Sequence, residues 1–490
     1  DSPDERAAAP VEDGARSLAG NSLWALTAQA VSKVASVVFV AAMARALSKV
    51  DYGYFNLALS LVPLFLIFGI WSLDAVVIKE IARNPTRTAT VFASGLVARA
   101  GLGALALGMA VLVTPFFVDG MTPVLAIALV GAALFLDQIA EFIGAVFRGL
   151  ERMSLYGIVI MANRIVSTAI TLVVLARGGT LVAASSAYLV GSLIALAFAW
   201  ILLLRITPIH RTDVSSNETK RLVREGLPLG VSDVLNMAIL RLDSVLLYLL
   251  RGPVSVAVYG VAYRLFESLL FVAWSMATAA LPRIARAHTP ADSARTYDLL
   301  LTATLTIYVP AAAITPFAGS WLVTTVFSDR YLPSAEALTW LMLALVLYGF
   351  GHMARVAAIG IGRGREIARV AGASLAVNIV ANLTLIPRFG FVGAAMATTI
   401  TEGCQAVALG TLFYRATATR PSVKILMPLA AGAATAGVLT ALNAAGFAAI
   451  VIGMGTYAIT LLGISAVLAP ELGASLLRLI MKRRVGHGSS

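Results

Sequence analysis

Ionisable side chains inside long apolar segments are the residues of this sequence most able to do chemistry. An ionised group at the centre of a membrane helix costs roughly 2.5–3.5 kcal/mol on insertion scales, so such groups would not face lipid. We expect them to line a wet cavity or to pair with one another. Six bases and seven acids form this set: Lys33, Arg99, Arg164, Arg241, Arg264, Arg355, Asp74, Asp137, Glu141, Asp233, Asp243, Glu267 and Glu402.

The first apolar segment carries a polar stripe at helical spacing. Gln29, Lys33 and Ser36 fall on one face of the predicted helix. A cationic stripe lined by hydroxyl and amide groups suits an anionic headgroup that bears a sugar. The alternative is that Lys33 pairs with a carboxylate or extends its ammonium group toward the membrane surface.

Two carboxylates of the fourth segment predict ion coupling. Asp137, Glu141 and Arg148 are offset by four and seven positions, which places them on one helix face. Two carboxylates one turn apart repel each other at low dielectric, which favours binding of a proton or a cation. A structural ion pair with an arginine of a neighbouring helix is the alternative.

The remaining charged positions divide between substrate binding and pairing. Arg241 and Asp243 are two positions apart and point to different helix faces, so one is expected to bind substrate or ion and the other to anchor a neighbouring helix. Arg264 and Glu267 are three apart and can neutralise each other. The predicted anion-binding set is Lys33, Arg164, Arg241, Arg264 and Arg355, the predicted ion-coupling set is Asp137, Glu141 and Asp243, and the predicted polar cavity residues are Gln29, Ser36, Asn163 and Asn236.

Composition predicts the kind of fold that must position these charged side chains. The chain has 490 residues, of which 59% are hydrophobic and 13% charged, whereas soluble proteins have about 45–50% and about 25%. Uninterrupted apolar runs predict membrane helices, and the period-two alternation of a membrane β-barrel is absent. We predict an all-α polytopic fold of about fourteen spans, approximately at residues 18–43, 54–78, 91–113, 123–147, 155–175, 181–204, 227–250, 255–281, 298–318, 335–359, 367–386, 391–413, 424–442 and 447–469.

Loop charges predict the orientation. With the N-terminus in the cytoplasm, the inner loops and tails hold 25 Lys and Arg residues and the outer loops hold six. This asymmetry places both termini inside. It also accounts for most of the net charge of +12, so no nucleic acid partner is expected. No metal site is predicted, because the four histidines and the single Cys404 form no ligand cluster.

Three short similarities indicate an internal repeat. The sequence DYGY at 51–54 resembles VYGV at 258–261, IAR at 81–83 recurs at 284–286, and RGGTLVAA at 177–184 resembles RFGFVGAA at 388–395. The near-equal offsets predict two parallel six-helix lobes around a central cavity, with two helices appended. The predicted domains are a disordered cytoplasmic tail (1–17), an N-terminal lobe (18–204), a cytoplasmic linker (205–226), a C-terminal lobe (227–414), helices 13 and 14 (415–480) and a basic tail (481–490).

Several motifs carry a family resemblance over about residues 17–415. They are ARAL at 44–47 with DYGYFNLA at 51–58, FRGLERM at 147–153, RLD at 241–243 with YGVAYRL at 259–265, and NLTLIPRFG at 382–390 with GAAMAT at 393–398. In this order they resemble the Wzx-like oligosaccharide flippases of the multidrug/oligosaccharidyl-lipid/polysaccharide exporter superfamily.

The resemblance implies a function. Such proteins move undecaprenyl-pyrophosphate-linked sugars from the inner to the outer leaflet of the bacterial cytoplasmic membrane by ion-coupled alternating access. Lys33, Arg164, Arg241, Arg264 and Arg355 would then bind the pyrophosphate, because arginines form forked hydrogen bonds with phosphate oxygens. No cofactor is expected, and the coupling ion is left open between H⁺ and Na⁺. The expected partners are the lipid-linked oligosaccharide and membrane lipids, with a polysaccharide polymerase and chain-length machinery as further candidates, and we expect a monomer.

Two other functions stay open at the level of sequence. A cation-coupled multidrug antiporter of the same superfamily would need a cavity dominated by carboxylates, which seven acids against six bases do not exclude. A membrane glycosyltransferase or polymerase would usually need a substantial outer domain. The longest predicted outer loop is short, at about 319–334, and no nucleotide- or metal-binding motif appears.

Overall fold

A computed structural model describes residues 27–70, 72–287 and 289–468 of the chain. Within these ranges the backbone forms helices and turns and no β-strand, as apolar segments do where lipid offers no hydrogen bonds. The α-helices are α1 Thr27–Ala46, α2 Lys49–Ile70, α3 Leu73–Arg83, α4 Thr88–Val113, α5 Met121–Gly149, α6 Met153–Ala176, α7 Leu181–Leu204, α8 Ser216–Ala285, α9 Pro290–Val326, α10 Ser334–Gly360, α11 Gly364–Thr417, α12 Leu426–Ala441 and α13 Gly446–Leu468. Short 3₁₀ helices lie at Pro85–Arg87, Thr114–Phe116, Arg211–Asp213, Asp329–Tyr331 and Val423–Ile425.

The predicted all-helical membrane fold is confirmed. Twelve helices in the described part of the chain are long and apolar enough to cross a membrane. Two long helices each combine two predicted spans: α8 bends at Gly252 (φ 75°) and α11 bends at Gly390 (φ 60°). Glycine reaches these positive φ values without steric cost. With both bends counted as boundaries, every predicted span has a helical counterpart among the described residues.

The second predicted span differs from a single helix. Residues 54–78 were expected to run without interruption, but α2 ends at Ile70 and α3 begins at Leu73. Ser72 lies between them in the left-handed region, with φ 51°. This break places Asp74 in the first turn of α3, where the helix dipole favours a carboxylate.

The chain divides into two compact units between Ala257 and Val258. Unit 1 contains α1–α7 and α8 up to that point, and unit 2 contains the remainder of α8 with α9–α13. Helix α8 begins at Ser216, inside the predicted linker 205–226. The predicted lobe boundaries stay predictions, and the predicted tails at 1–17 and 481–490 lie outside the described residues.

Burial in unit 1 explains how the helices are held. Phe92 of α4 and Phe142 of α5 stack with their ring centroids 5.5 Å apart, and both are fully buried. They belong to one apolar cluster with side chains of α3, α6 and α7. By contrast, large apolar side chains such as Leu112 and Ile459 are 70% and 73% exposed, as expected for surfaces that face lipid. The apolar cluster fixes α5 against its neighbours and so positions the charged side chains described next.

Candidate functional site

Unit 1 contains a charged cavity beside α5, which we call the α5 cavity. Its volume is about 280 Å³, and residues of α2–α6 line it. The ionisable or amide side chains in this lining are Asp74, Arg99, Asp137, Gln138, Glu141, Asn163 and Arg164. The structure therefore brings together four of the predicted site residues, Asp137, Glu141, Asn163 and Arg164, within membrane-spanning helices.

Asp137 accepts two short hydrogen bonds and faces one arginine. Asn163 of α6 donates through Nδ2 to Oδ1 at 2.7 Å, and the Tyr188 hydroxyl of α7 donates to Oδ2 at 2.7 Å. The Arg164 guanidinium lies farther away, with Nη1 3.7 Å from Oδ2. Its side chain is 40% exposed, against 11% for that of Asp137. The carboxylate is thus held by neutral donors, while the cation remains accessible.

Glu141 lies one turn further along α5 and has different partners. Its Oε1 accepts hydrogen bonds from Arg148 Nη2 at 3.2 Å and from the Tyr156 hydroxyl at 3.0 Å. The Arg148 guanidinium also lies over the Tyr156 ring, 4.7 Å from its centroid, within the range of a cation–π interaction. The shared face that the spacing of Glu141 and Arg148 predicts is therefore used for a direct ion pair.

Arg99 and Asp74 form an inter-helical ion pair. Arg99 Nη1 lies 2.8 Å from Asp74 Oδ1, and the Arg99 side chain is 2% exposed. The guanidinium also lies 5.2 Å from the centroid of the Phe142 ring. This pair forms the most buried ionic contact of the cavity wall and joins α3 to α4.

The other predicted residues of unit 1 lie outside the lining of the α5 cavity. Gln29, Lys33 and Ser36 are half-buried on α1, and Asn236 and Arg241 are half-buried on α8. Asp243 is buried, and its Oδ1 accepts a hydrogen bond from the backbone N–H of Ser244 at 2.7 Å. Their assignment to substrate or ion binding stays a prediction.

In unit 2, Arg264 forms the short-range ion pair that its spacing from Glu267 allows. Nη1 of Arg264 lies 2.7 Å from Oε2 of Glu267. Arg355 is half-buried on α10 and interacts electrostatically with His352 and with the buried Glu402. Each predicted pyrophosphate ligand of this unit thus lies near a carboxylate.

His352 is held by a tyrosine in the same helix. Its Nδ1 lies 3.1 Å from the Tyr348 hydroxyl, and the two rings stack with centroids 5.1 Å apart. That hydroxyl also accepts a hydrogen bond from Trp274 Nε1 at 2.7 Å. These contacts hold the His352 ring in place, which fits a hydrogen-bonding, structural role.

Two tyrosines of the site were missed from the sequence. Tyr156 and Tyr188 donate to Glu141 and Asp137, and neither tyrosine was among the predicted site residues. A buried phenol hydroxyl needs a hydrogen-bond acceptor. Tyrosines within the predicted spans were therefore the available signal.

A charged network lies outside the spans, where α8 begins. Arg221 contacts Glu218 at 2.6 Å and Glu80 of α3 at 2.9 Å, and Arg87 contacts Glu218 at 3.1 Å. The hydrogen bond from Arg221, together with the charges of both arginines, lowers the pKa of Glu218 below its ordinary value, and the two carboxylates raise the pKa of Arg221. The network ties the start of α8 to α3 and to the 3₁₀ helix at Pro85–Arg87.

Comparisons with known proteins identify the family. A family model described as a polysaccharide biosynthesis protein matches residues 18–288, more than half of the chain, and a second model, MatE, matches residues 228–384. An uncharacterised membrane protein of Methanocaldococcus jannaschii is 28% identical over 94 residues. That match covers 19% of this chain and 18% of the relative, so the chain matches less than a fifth of that protein's length.

Solved structures share the fold. Lipid II flippase MurJ in an inward closed conformation matches with a TM-score of 0.72 and 14% identity, covering 92% of this chain and 99% of that chain. An inward-facing multidrug resistance MATE family transporter matches with a TM-score of 0.64 and 17% identity over 81% and 98%. A transporter of the multidrug/oligosaccharidyl-lipid/polysaccharide superfamily from Pyrococcus furiosus matches with 0.61 and 17% over 81% and 95%.

The helical fold, the apolar exterior and a charged cavity within spanning helices define a polytopic membrane protein of the transporter type. The chain belongs to the polysaccharide biosynthesis protein family, within the multidrug/oligosaccharidyl-lipid/polysaccharide exporter superfamily. The predicted family resemblance is confirmed. The families that it matches are transporters and flippases rather than enzymes.

Proposed function

We propose that the protein flips an undecaprenyl-pyrophosphate-linked oligosaccharide from the inner to the outer leaflet of the bacterial cytoplasmic membrane, for assembly of a cell-surface polysaccharide. In this proposal both termini are cytoplasmic, as the loop charges predict. The family match supports a substrate of the polysaccharide pathway. The similarity in fold to a lipid II flippase supports a lipid-linked cargo.

The observation that carries the proposal is the accessible arginine in the α5 cavity. Arg164 lies on a spanning helix, yet its side chain is 40% exposed and its contact to Asp137 is long, at 3.7 Å. A guanidinium kept at membrane depth needs an anionic partner to offset its desolvation. A pyrophosphate group supplies oxygens that a guanidinium binds with charge-assisted hydrogen bonds. The predicted contributions of Lys33, Arg241, Arg264 and Arg355 belong to the same proposal.

Ion coupling follows from the same cavity. When the substrate phosphate binds the Arg164 guanidinium, the Asp137 carboxylate loses this cationic partner. A proton or Na⁺ then binds Asp137 and compensates its negative charge. Glu141 would assist from one turn away, although Arg148 already neutralises part of its charge. Asp243 remains the predicted coupling residue of α8. Asp137 would bind the coupling cation whenever Arg164 binds the anionic substrate, and this would link ion movement to substrate movement.

Reconstitution tests the proposal. The full chain in proteoliposomes is supplied with a fluorescent lipid-linked oligosaccharide, and a membrane-impermeant quencher reports the fraction in each leaflet. We expect protein-dependent flipping that an ion gradient accelerates. Arg164→Gln should weaken substrate binding about tenfold or more, because a hydrogen bond to a charged group contributes about 1.5–3 kcal/mol.

A matched control separates this site from charge in general. Arg365→Gln removes an exposed arginine of α11 outside the α5 cavity and should leave flipping unchanged. Equal losses in both variants, or no protein-dependent flipping of the lipid-linked sugar, would refute the proposal.

A cation-coupled multidrug antiporter is the second candidate. The match of the MatE model to residues 228–384 and the similarity in fold to multidrug resistance transporters favour it. The three carboxylates that line the α5 cavity, Asp74, Asp137 and Glu141, would suit a cationic drug. Gradient-driven efflux of a lipophilic cation from the same proteoliposomes, without flipping of the lipid-linked sugar, would establish this alternative.

A further inference from the structure

Unit 2 contains a second charged cavity, separate from the α5 cavity and unused by the proposed function. We call it the basic cavity. Its volume is about 540 Å³, and it lies between the first turns of α9 and the segment that joins α11 to α12. Three exposed cations line it: Arg295, Arg420 and Lys424.

The three cations carry unbalanced positive charge. Among the residues that the structure describes, none of them forms an ion pair or a hydrogen bond through its side chain. The carboxylate in the lining, Asp298, is engaged elsewhere. Its Oδ1 accepts a hydrogen bond from the Tyr414 hydroxyl at 2.6 Å, and the carboxylate also accepts one from the backbone N–H of Ser422. The lining therefore carries a net charge of about +2 when all four groups are ionised.

The backbone adds to the positive potential. The 3₁₀ helix Val423–Ile425 leads directly into α12, so the N-terminal end of this helical segment borders the cavity. Ser422 caps it, since its Oγ accepts a hydrogen bond from the Lys424 N–H at 3.3 Å. Unpaired N–H groups at a helix start favour anions. The positive end of this helix thus lies at the same place as the three side-chain cations.

An apolar rim indicates what kind of anion fits. Leu299 lines the cavity and is 49% exposed, and Val423 and Leu426 beside it are 62% and 58% exposed. Helices α9 and α12 are candidate spanning segments that begin beside this cavity, so we place the rim at the edge of the membrane. A free inorganic anion would use the cations only. A phospholipid would use both the cations and the apolar rim, with its phosphate at the cations and its acyl chains along the rim.

We propose that the basic cavity binds the phosphate-bearing headgroup of an anionic membrane phospholipid. The site differs from the cargo site in position and in composition, because it lies in unit 2 and its cations are unpaired. Basic pockets at helix ends near the cytoplasmic leaflet recognise such headgroups, and each Lys or Arg near the surface contributes about fivefold to binding. Three cations give the site a preference for anionic lipid over zwitterionic lipid.

Native mass spectrometry of the full-length protein tests this proposal. The protein is released from micelles that contain equal amounts of phosphatidylglycerol and phosphatidylcholine, and the retained lipids are counted. We expect retention of phosphatidylglycerol in preference to phosphatidylcholine. The triple variant Arg295→Gln, Arg420→Gln and Lys424→Gln should reduce that preference roughly a hundredfold.

Two further variants keep the test decisive. Asp298→Asn removes the negative charge of the lining but keeps an oxygen for Tyr414, so it should increase phosphatidylglycerol retention. The control triple Arg286→Gln, Arg365→Gln and Arg369→Gln removes three exposed cations of unit 2 outside the lining and should retain the lipid like the unmodified protein. Elution of every variant as a single peak in size-exclusion chromatography verifies folding.

Three results would overturn the proposal. They are no preference in the unmodified protein, an equal loss in the control triple, and displacement of the lipid by millimolar inorganic phosphate. The second would mean that the cations act only through the general charge of this face, and the third would assign the cavity to a free anion.

Discussion

Asp137→Asn separates the charge of the central carboxylate from its hydrogen bonds. The native carboxylate accepts from Asn163 and Tyr188 at 2.7 Å each and lies 3.7 Å from Arg164. The amide of the variant has one oxygen, so its NH₂ group faces either the Asn163 amide, with loss of that hydrogen bond, or the Tyr188 hydroxyl, whose own proton then loses its acceptor. In either case one buried donor loses the acceptor that the carboxylate provided, and the negative charge is removed.

The magnitude follows from these contacts. Loss of one buried hydrogen bond costs about 1–3 kcal/mol in the free energy of unfolding. Loss of the ion pair adds only about 0–1 kcal/mol, because Arg164 is 40% exposed and the contact is long. Tyr188→Phe also removes one hydrogen bond to this carboxylate but keeps its charge. The two variants should therefore lose similar stability, while only Asp137→Asn removes the group that exchanges cations.

The assay is gradient-driven flipping in proteoliposomes, with thermal unfolding measured in parallel. We expect Tyr188→Phe to retain acceleration by an ion gradient, and Asp137→Asn to flip at a rate that no gradient changes. If both variants respond equally to the gradient, or if Asp137→Asn keeps the full response, the reasoning that assigns coupling to this carboxylate is refuted.

Three further predictions concern stability. Arg99→Met should cost about 3–5 kcal/mol, because it leaves Asp74 as an uncompensated carboxylate; a loss below 1 kcal/mol in chemical denaturation would contradict this. The pKa of Glu218 is lowered in the folded protein, so the stability that this carboxylate adds is present above its ordinary pKa of 4.5 and is lost as pH falls through the lower folded value. Glu218→Gln should therefore make the melting temperature depend less on pH below 4.5. An unchanged slope of melting temperature against pH would refute the linkage. Gly53→Ala should destabilise by about 1–3 kcal/mol, because its Cβ would overlap the carbonyl of Pro253, whereas Gly101→Ala, with no atom in reach, should be neutral or slightly stabilising in the same unfolding assay.

Much of the fold could be predicted from apolar periodicity and length. Each predicted span has a helix among the described residues because a lipid environment leaves an apolar segment few alternatives. The break at Ser72 could not be predicted, since its left-handed φ of 51° depends on tertiary contacts. One such contact is the hydrogen bond from the Ser72 hydroxyl to Asp233, a residue 161 positions away.

The candidate site could be predicted only in part. The spacing of Asp137 and Glu141 placed both on one face, and both line the α5 cavity. Their tyrosine donors could not be predicted, because Tyr188 lies 51 positions from Asp137 and the pairing depends on how α7 packs against α5. Likewise, the sequence marks Arg99 as costly in lipid, but only the packing of α3 against α4 selects Asp74 as its neighbour.

The three acid–base contacts of the α5 cavity differ in how easily they can open. Arg99 and Asp74 lie 2.8 Å apart, and the arginine is almost fully buried. Separating them would leave the Arg99 charge without water to solvate it, which is costly. Arg148 contacts Glu141 at 3.2 Å and is further held over the Tyr156 ring. Arg164 is the most exposed of the three arginines and makes the longest contact, while neutral donors hold Asp137 in place. An anion could therefore bind Arg164 while Asp137 stays in place. A site that binds the substrate anion and the coupling cation in turn requires this property.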